Sequence, residues 1–130
     1  MKTRVLIADD HEVVRKCLGL VLIGLDDLEL AGEASDGEQA VAMYDKVKPD
    51  VVLMDMVMPS MDGVTAIQKI RERHPQAKII VLTAFDSDDL ARRALHAGAL
   101  GYLNKDVTAD ELLQAIRGAQ SSGHCGDKGR

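Results

Sequence analysis

Three stretches of the chain are apolar without a break and end on a polar side chain. They are Val5-Leu6-Ile7-Ala8 before Asp9-Asp10, Val51-Val52-Leu53-Met54 before Asp55, and Ile79-Ile80-Val81-Leu82 before Thr83. A short continuous apolar run bounded by turn residues reads as a strand buried on both faces. Leu28 to Ala34 instead alternates, with Leu28, Leu30, Gly32 and Ala34 against Glu29, Ala31 and Glu33, which suits a half-exposed strand near an edge. Leu100 to Leu103 is a short last strand, followed by Asn104-Lys105.

Helical spacing fills the intervals. His11 to about Leu22 places Val14, Cys17, Leu18, Val21 and Leu22 on one face, and Gly24 with Asp26-Asp27 breaks it. Asp36 is the expected N-cap of the next helix, with Gln39 at the capping-box position, Ala40, Val41, Tyr44 and Val47 facing in, and Pro49 as the stop. Met58-Pro59-Ser60-Met61-Asp62-Gly63 reads as a loop in which Gly63 permits a positive φ. A third helix follows, with Ala66, Ile67 and Ile70 inward and His74-Pro75 as its end. Ser87 is the expected cap of a fourth helix that opens with Asp88-Asp89 and stops at Gly98. Thr108-Ala109-Asp110-Glu111 is a capping box for the last helix, with Leu112, Leu113 and Ile116 inward.

Five strands alternating with five helices predict an α/β fold with a parallel sheet. We expect one domain over 1–120. Residues 121–130 lack periodicity and read as a disordered tail or truncated linker. The 46% of hydrophobic residues suffices for a core, which must be aliphatic because Tyr44, Phe85 and Tyr102 are the only aromatics. A net charge of −5 argues against nonspecific binding to nucleic acid or anionic membranes. Cys17 and Cys125 have no Cys or His framework around them, so a reduced, cytoplasmic chain is expected. No stretch has transmembrane length and no signal peptide opens the sequence.

Asp9, Asp10, Asp55, Thr83 and Lys105 fall at the carboxyl ends of four separate predicted strands. Ligands of doubly wound sheets bind beyond those ends, where the strand order reverses. If the order is 2-1-3-4-5, the three carboxylates share one crevice, with Thr83 and Lys105 on its far side. Three carboxylates together repel unless a cation answers them. Oxygen-only donors suit Mg²⁺, and Lys105 supplies a second positive charge. A carboxylate nucleophile, a hard metal, a hydroxyl donor and an ammonium together suit phosphoryl transfer onto Asp55.

The residues Asp9-Asp10, VVLMDMVMPSMDG around Asp55, LTA around Thr83 and GYLNKD around Lys105 resemble the receiver domain of bacterial two-component response regulators. The resemblance spans 3–120. The opening DDHEVVR and the closing GYLNKD look like the NarL/LuxR-type branch. It implies a flavodoxin-like, doubly wound five-stranded sheet in the order 2-1-3-4-5; a member of this family is a standard example of that order. It further implies that Asp55 is the phosphoacceptor. Asp10, Asp55 and the backbone carbonyl of Val57 would bind Mg²⁺, or Mn²⁺ in its place, with Asp9 acting through water. Thr83 and Lys105 would contact the phosphoryl group, and Tyr102 would be the switch aromatic. Implied partners are a sensor histidine kinase, a second copy on phosphorylation, and DNA only through a C-terminal helix-turn-helix domain that this sequence does not contain. A domain of this kind catalyses only its own phosphorylation and dephosphorylation and is not an enzyme toward external substrates. Where many receivers have proline after the lysine, this chain has Asp106, which puts a cis peptide there in doubt.

Other readings fit less well. A stand-alone receiver or phosphorelay intermediate would act by protein contacts alone, and the abrupt polar tail favours a chain cut from a longer protein. An aspartyl-phosphate hydrolase usually has a second Asp two residues after the nucleophile, where this chain has Val57. A flavin carrier would need a Ser/Thr/Gly-rich loop where this chain has Asp9-Asp10-His11-Glu12. His11 reads as an exposed first-turn residue. Val57 and Phe85, apolar neighbours of the site, are candidates for slowing hydrolysis of the phosphoryl group.

Overall fold

The computed structural model describes residues 2–84 and 88–121. Ten elements alternate along it: β1 (Thr3–Ala8), α1 (Glu12–Ile23), β2 (Leu28–Ala34), α2 (Gly37–Val47), β3 (Val51–Met54), α3 (Gly63–Arg73), β4 (Ile79–Thr83), α4 (Asp88–Ala97), β5 (Gly101–Asn104) and α5 (Ala109–Ser121). All strand pairs are parallel, and the order is β2-β1-β3-β4-β5. β1 and β3 are thus neighbours, with Ala8 opposite Met54, so Asp9 and Asp55 leave the sheet side by side.

The apolar runs do what their pattern requires. Successive side chains of a strand point to opposite faces. Leu6 and Ala8 of β1, Val52 and Met54 of β3, and Ile79 and Val81 of β4 join a cluster with Ala40, Val41 and Tyr44 of α2, Ala66, Ile67 and Ile70 of α3, and Ala94 of α4. Val5, Ile7, Val51, Leu53 and Ile80 pack on the other face against Leu22 of α1 and Leu112, Leu113 and Ile116 of α5. Each central strand is therefore covered on both sides, and burying those aliphatic side chains is the main drive to fold.

The ends differ in detail from the sequence expectation. α1 begins at Glu12 and ends at Ile23, with His11 as its N-cap. β5 lies one residue later than expected, at Gly101–Asn104, and exposed Leu100 precedes it. α5 runs through Ser121, one residue into the expected tail; the rest of that tail, and Ser87 and Phe85, lie outside the described residues. Asp36 caps α2 as expected, accepting the Gln39 N–H, but the Gln39 side chain reaches back to Ser35. At α5 the reciprocal box is complete: Thr108 Oγ1 accepts the Glu111 N–H and Glu111 Oε1 accepts the Thr108 N–H.

Gly63 corrects the sequence reading. The left-handed residue of its loop is Ser60, at φ 68°, whereas Gly63 does not have a positive φ. Glycine is needed there for a close approach: a Cβ would lie 2.5 Å from the Asp55 carbonyl oxygen and 2.8 Å from Met56 Cα. The start of α3 is thereby pressed onto the end of β3, and Gly63 N–H donates to Met56 O at 2.9 Å.

Candidate functional site

Asp55 follows the last residue of β3, and its N–H donates to the Ala8 carbonyl at 2.9 Å, which continues the ladder one step beyond the strand. Asp9 does the same on the other side of β1, donating to Ala34 O at 3.0 Å. Both side chains are buried, at 4% and 3% exposure, whereas Asp10 is exposed. Backbone pairing thus carries two carboxylates to the end of the sheet and holds them there.

One oxygen each of Asp9, Asp10 and Asp55, together with a ring nitrogen of His11, lie within 4.8 Å of one another. Lys105 Nζ completes the group. It sits 2.7 Å from Asp9 Oδ2 and 3.6 Å from Asp55 Oδ2. Lys105 was expected across the crevice from the acidic cluster; its side chain instead lies against Asp9. Its own backbone is fixed by the Lys105 N–H donating to Thr83 O at 2.8 Å.

The environment separates the two buried carboxylates. Burial pushes the Asp55 carboxyl above the usual range, and the Asp9 charge adds to this, against the opposing pull of Lys105 and the Val57 N–H. Burial also penalises Asp9, but hydrogen bonds from Lys105 and His11 outweigh it and hold its carboxyl below the usual range. Asp9 is the settled anion of the site and Asp55 the unsettled one.

Thr83, fully buried, ends β4 opposite Asn104. Tyr102 lies opposite Val81 on β5 and packs, half-buried, against the cluster under α2 and α3. Val57 is in the loop after β3, with 51% of its surface exposed. No peptide bond among the described residues is cis, and the Asp106 N–H donates to Asn104 Oδ1 at 2.9 Å in the turn after β5.

Sequence reasoning set His11 aside, yet its Nδ1 is 3.0 Å from Asp9 Oδ1 and 3.1 Å from Asp10 Oδ1. Its N–H also donates to Asp9 Oδ1 at 2.9 Å. The available signal was its place directly after two carboxylates and directly before α1.

The donor set fits a hard divalent cation. It offers several carboxylate oxygens at the mouth of a crevice, with the buried pair too close to be comfortable without a positive charge.

Residues 5–117 match the family described as response regulator receiver domain. The chain belongs to that family. It is 47% identical over 116 residues to the transcriptional regulatory protein LiaR of Bacillus subtilis strain 168, covering 89% of this chain and 55% of that protein. The response regulator VraR of Staphylococcus aureus strain NCTC 8325 is 40% identical over 117 residues, covering 90% of this chain and 56% of that one. This receiver therefore spans about half the length of the curated relatives it matches. The signal receiver domain of the putative response regulator NarL from Mycobacterium tuberculosis superposes with a TM-score of 0.88 at 32% identity, covering 92% of this chain and 97% of that one. The receiver is of the NarL/LuxR type, and its fold is the flavodoxin-like one. No helix among its described residues is long and apolar enough to cross a membrane.

Proposed function

We propose that this receiver is a phosphorylation switch whose phosphoacceptor is Asp55 and whose donor is the phosphohistidine of a sensor kinase. The observation that carries the reading is the position of the Asp55 carboxylate. It is buried at the end of a central strand, beside Asp9 and 3.6 Å from Lys105. Its ionised form is disfavoured by burial and a like charge, so the site calls for a cation beside it before further negative charge can be added.

In the reaction, an Asp55 oxygen bonds to phosphorus as the P–N bond to the donor imidazole breaks. The donor ring, protonated on its other nitrogen, leaves as neutral imidazole, and the acyl phosphate remains on Asp55. Lys105, within reach of both Asp9 and Asp55, turns toward the new phosphoryl oxygens, and the Thr83 hydroxyl donates to one of them. Asp10, Asp55 and the Val57 carbonyl would hold Mg²⁺, or Mn²⁺ in its place, with Asp9 acting through water. The bound cation would neutralise charge on the phosphoryl oxygens and let three carboxylates coexist.

Movement of Thr83 toward the phosphate would open room for Tyr102 to turn inward. β4 and β5, the paired strands that carry these residues, would thereby report the state of Asp55 to the surface around α4 and α5. Phosphorylation would favour a second copy as partner. The relative LiaR is a transcriptional regulatory protein of which the matched residues cover 55%, which supports control of a DNA-binding segment outside the sequence given. The chemistry acts on the receiver itself.

Acetyl phosphate with Mg²⁺ tests the assignment. One phosphoryl group should appear on the wild type and none on Asp55→Asn. Equal labelling of the variant would refute the nucleophile.

A further inference from the structure

Arg15 is the third residue past the start of α1, and its guanidinium does not point to solvent. Its side chain is 16% exposed. Nη1 donates to the backbone carbonyl of Asp9 at 2.6 Å, and Nε donates to Glu33 Oε1 at 3.0 Å. Glu33 lies on β2, next to the Ala34 whose carbonyl accepts the Asp9 N–H. The backbone of residue 9 is therefore tied to β2 on both sides, directly through its N–H and through Arg15 at its carbonyl.

We propose that Arg15 is a positioning residue for the cation site, acting through the Asp9–Asp10 peptide. The inference rests on the reading of that site given above. The peptide unit is planar, so the direction of the Asp9 carbonyl fixes the direction of the Asp10 N–H and Cα. Asp10 is the exposed carboxylate of the site and lies just past the last ladder bond of β1. Gripping the carbonyl before it sets where its carboxylate points. The Arg15 charge is already answered by Glu33, so its contribution to the site is orientation more than field. A planar fork meets a carbonyl and a carboxylate at once; a lysine ammonium on a flexible stem is poorly suited to holding both in register.

The test uses MgCl₂ titration calorimetry and the ¹⁵N-resolved amide shifts of Asp10 and His11. Arg15→Ala should weaken Mg²⁺ binding on the order of tenfold, the low end of what removing a support behind a metal ligand does. It should also move those two amides in the metal-free protein. Arg15→Lys should recover only part of the affinity. Glu33→Ala should weaken binding a few-fold, and the double variant Arg15→Ala/Glu33→Ala should be no worse than Arg15→Ala alone, because Glu33 acts through Arg15. Arg4→Ala is the structural control. Arg4 Nη1 holds the carbonyls of Val47 and Lys48 at 2.5 and 3.2 Å at the opposite end of β1, so its loss should lower stability and leave Mg²⁺ affinity unchanged.

Wild-type affinity in Arg15→Ala would overturn the proposal, as would an equal loss in Arg4→Ala. A wild type that binds no Mg²⁺ would overturn the cation site itself, and Arg15 with it. Mg²⁺ binding by the wild type with no effect at position 15 would leave the site standing and remove only Arg15.

Discussion

Lys105 Nζ is 2.7 Å from Asp9, whereas its distance to Asp55, the proposed nucleophile, is 3.6 Å. Before any phosphoryl group arrives, the ammonium is engaged mainly with the neighbour. Asp9 thus keeps Lys105 beside the nucleophile without neutralising it fully, consistent with an Asp55 carboxyl that stays above its usual range.

Removing Lys105 should expose that arrangement. Lys105→Ala leaves Asp9 buried and without its closest cation. Taking one partner from a buried pair typically costs about 3 kcal/mol. Urea unfolding in EDTA should show a loss of that order, and saturating Mg²⁺ should restore more stability to the variant than to the wild type. An unchanged midpoint in EDTA would mean the Lys105–Asp9 pair contributes nothing.

Stability against pH should separate the two carboxylates. The Asp55 carboxyl is raised in the fold, so the native state holds its proton longer than the unfolded chain does. Its contribution is fully present below the ordinary carboxylate range and is lost as pH rises through the raised value. Metal-free Asp55→Asn should therefore become more stable than the wild type at neutral pH, and the gap should close on acidification. Asp9 is lowered, so its contribution is present above the ordinary range and is lost as pH falls through the lowered value. A gap between Asp55→Asn and wild type that widens toward low pH would reverse the sign argued here.

Gly63→Ala tests the seat of the nucleophile. The new Cβ would meet the Asp55 carbonyl oxygen at 2.5 Å, and backbone cannot swing aside as a flexible side chain can. Overpacking of this kind typically costs about 1–3 kcal/mol. Phosphorylation by acetyl phosphate should slow as well, because the shift falls on the end of β3. A variant with wild-type stability and rate would show that this approach is not tight.

The cap of α5 gives a local control. Thr108→Ala removes the acceptor for the Glu111 N–H and should cost about 1 kcal/mol. It should leave phosphorylation of Asp55 unchanged. A large loss of phosphoryl uptake would mean α5 is coupled to the site more tightly than the fold indicates.

The fold was legible because its strands are written in a strong code. Val5–Ala8, Val51–Met54 and Ile79–Leu82 are apolar at every position, and such short runs bounded by turn residues suit a sheet covered on both faces. The polar residue after each run marked the site for the same reason: a charge that ends a buried strand needs an answer. Strand order came from the family resemblance, since periodicity within one strand says nothing about its neighbours. What escaped depends on contacts between distant residues or on loop geometry. Arg15 reaches back to a carbonyl six residues earlier and across to β2. His11 looked like a first-turn residue until the N-cap placed its ring against two carboxylates. Glycine at 63 suggested a positive φ, whereas close approach is what requires it, and Ser60 takes the left-handed turn.

The central claim is that Asp55 accepts the phosphoryl group, and chemical trapping tests it most directly. Borohydride reduces an aspartyl phosphate to homoserine, which peptide mass mapping locates to a single residue. After treatment with acetyl phosphate and Mg²⁺, homoserine should appear at position 55 alone, and it should be lost when EDTA replaces Mg²⁺. Homoserine at position 9 or 10, or a phosphorylated protein with no homoserine at all, would contradict the account.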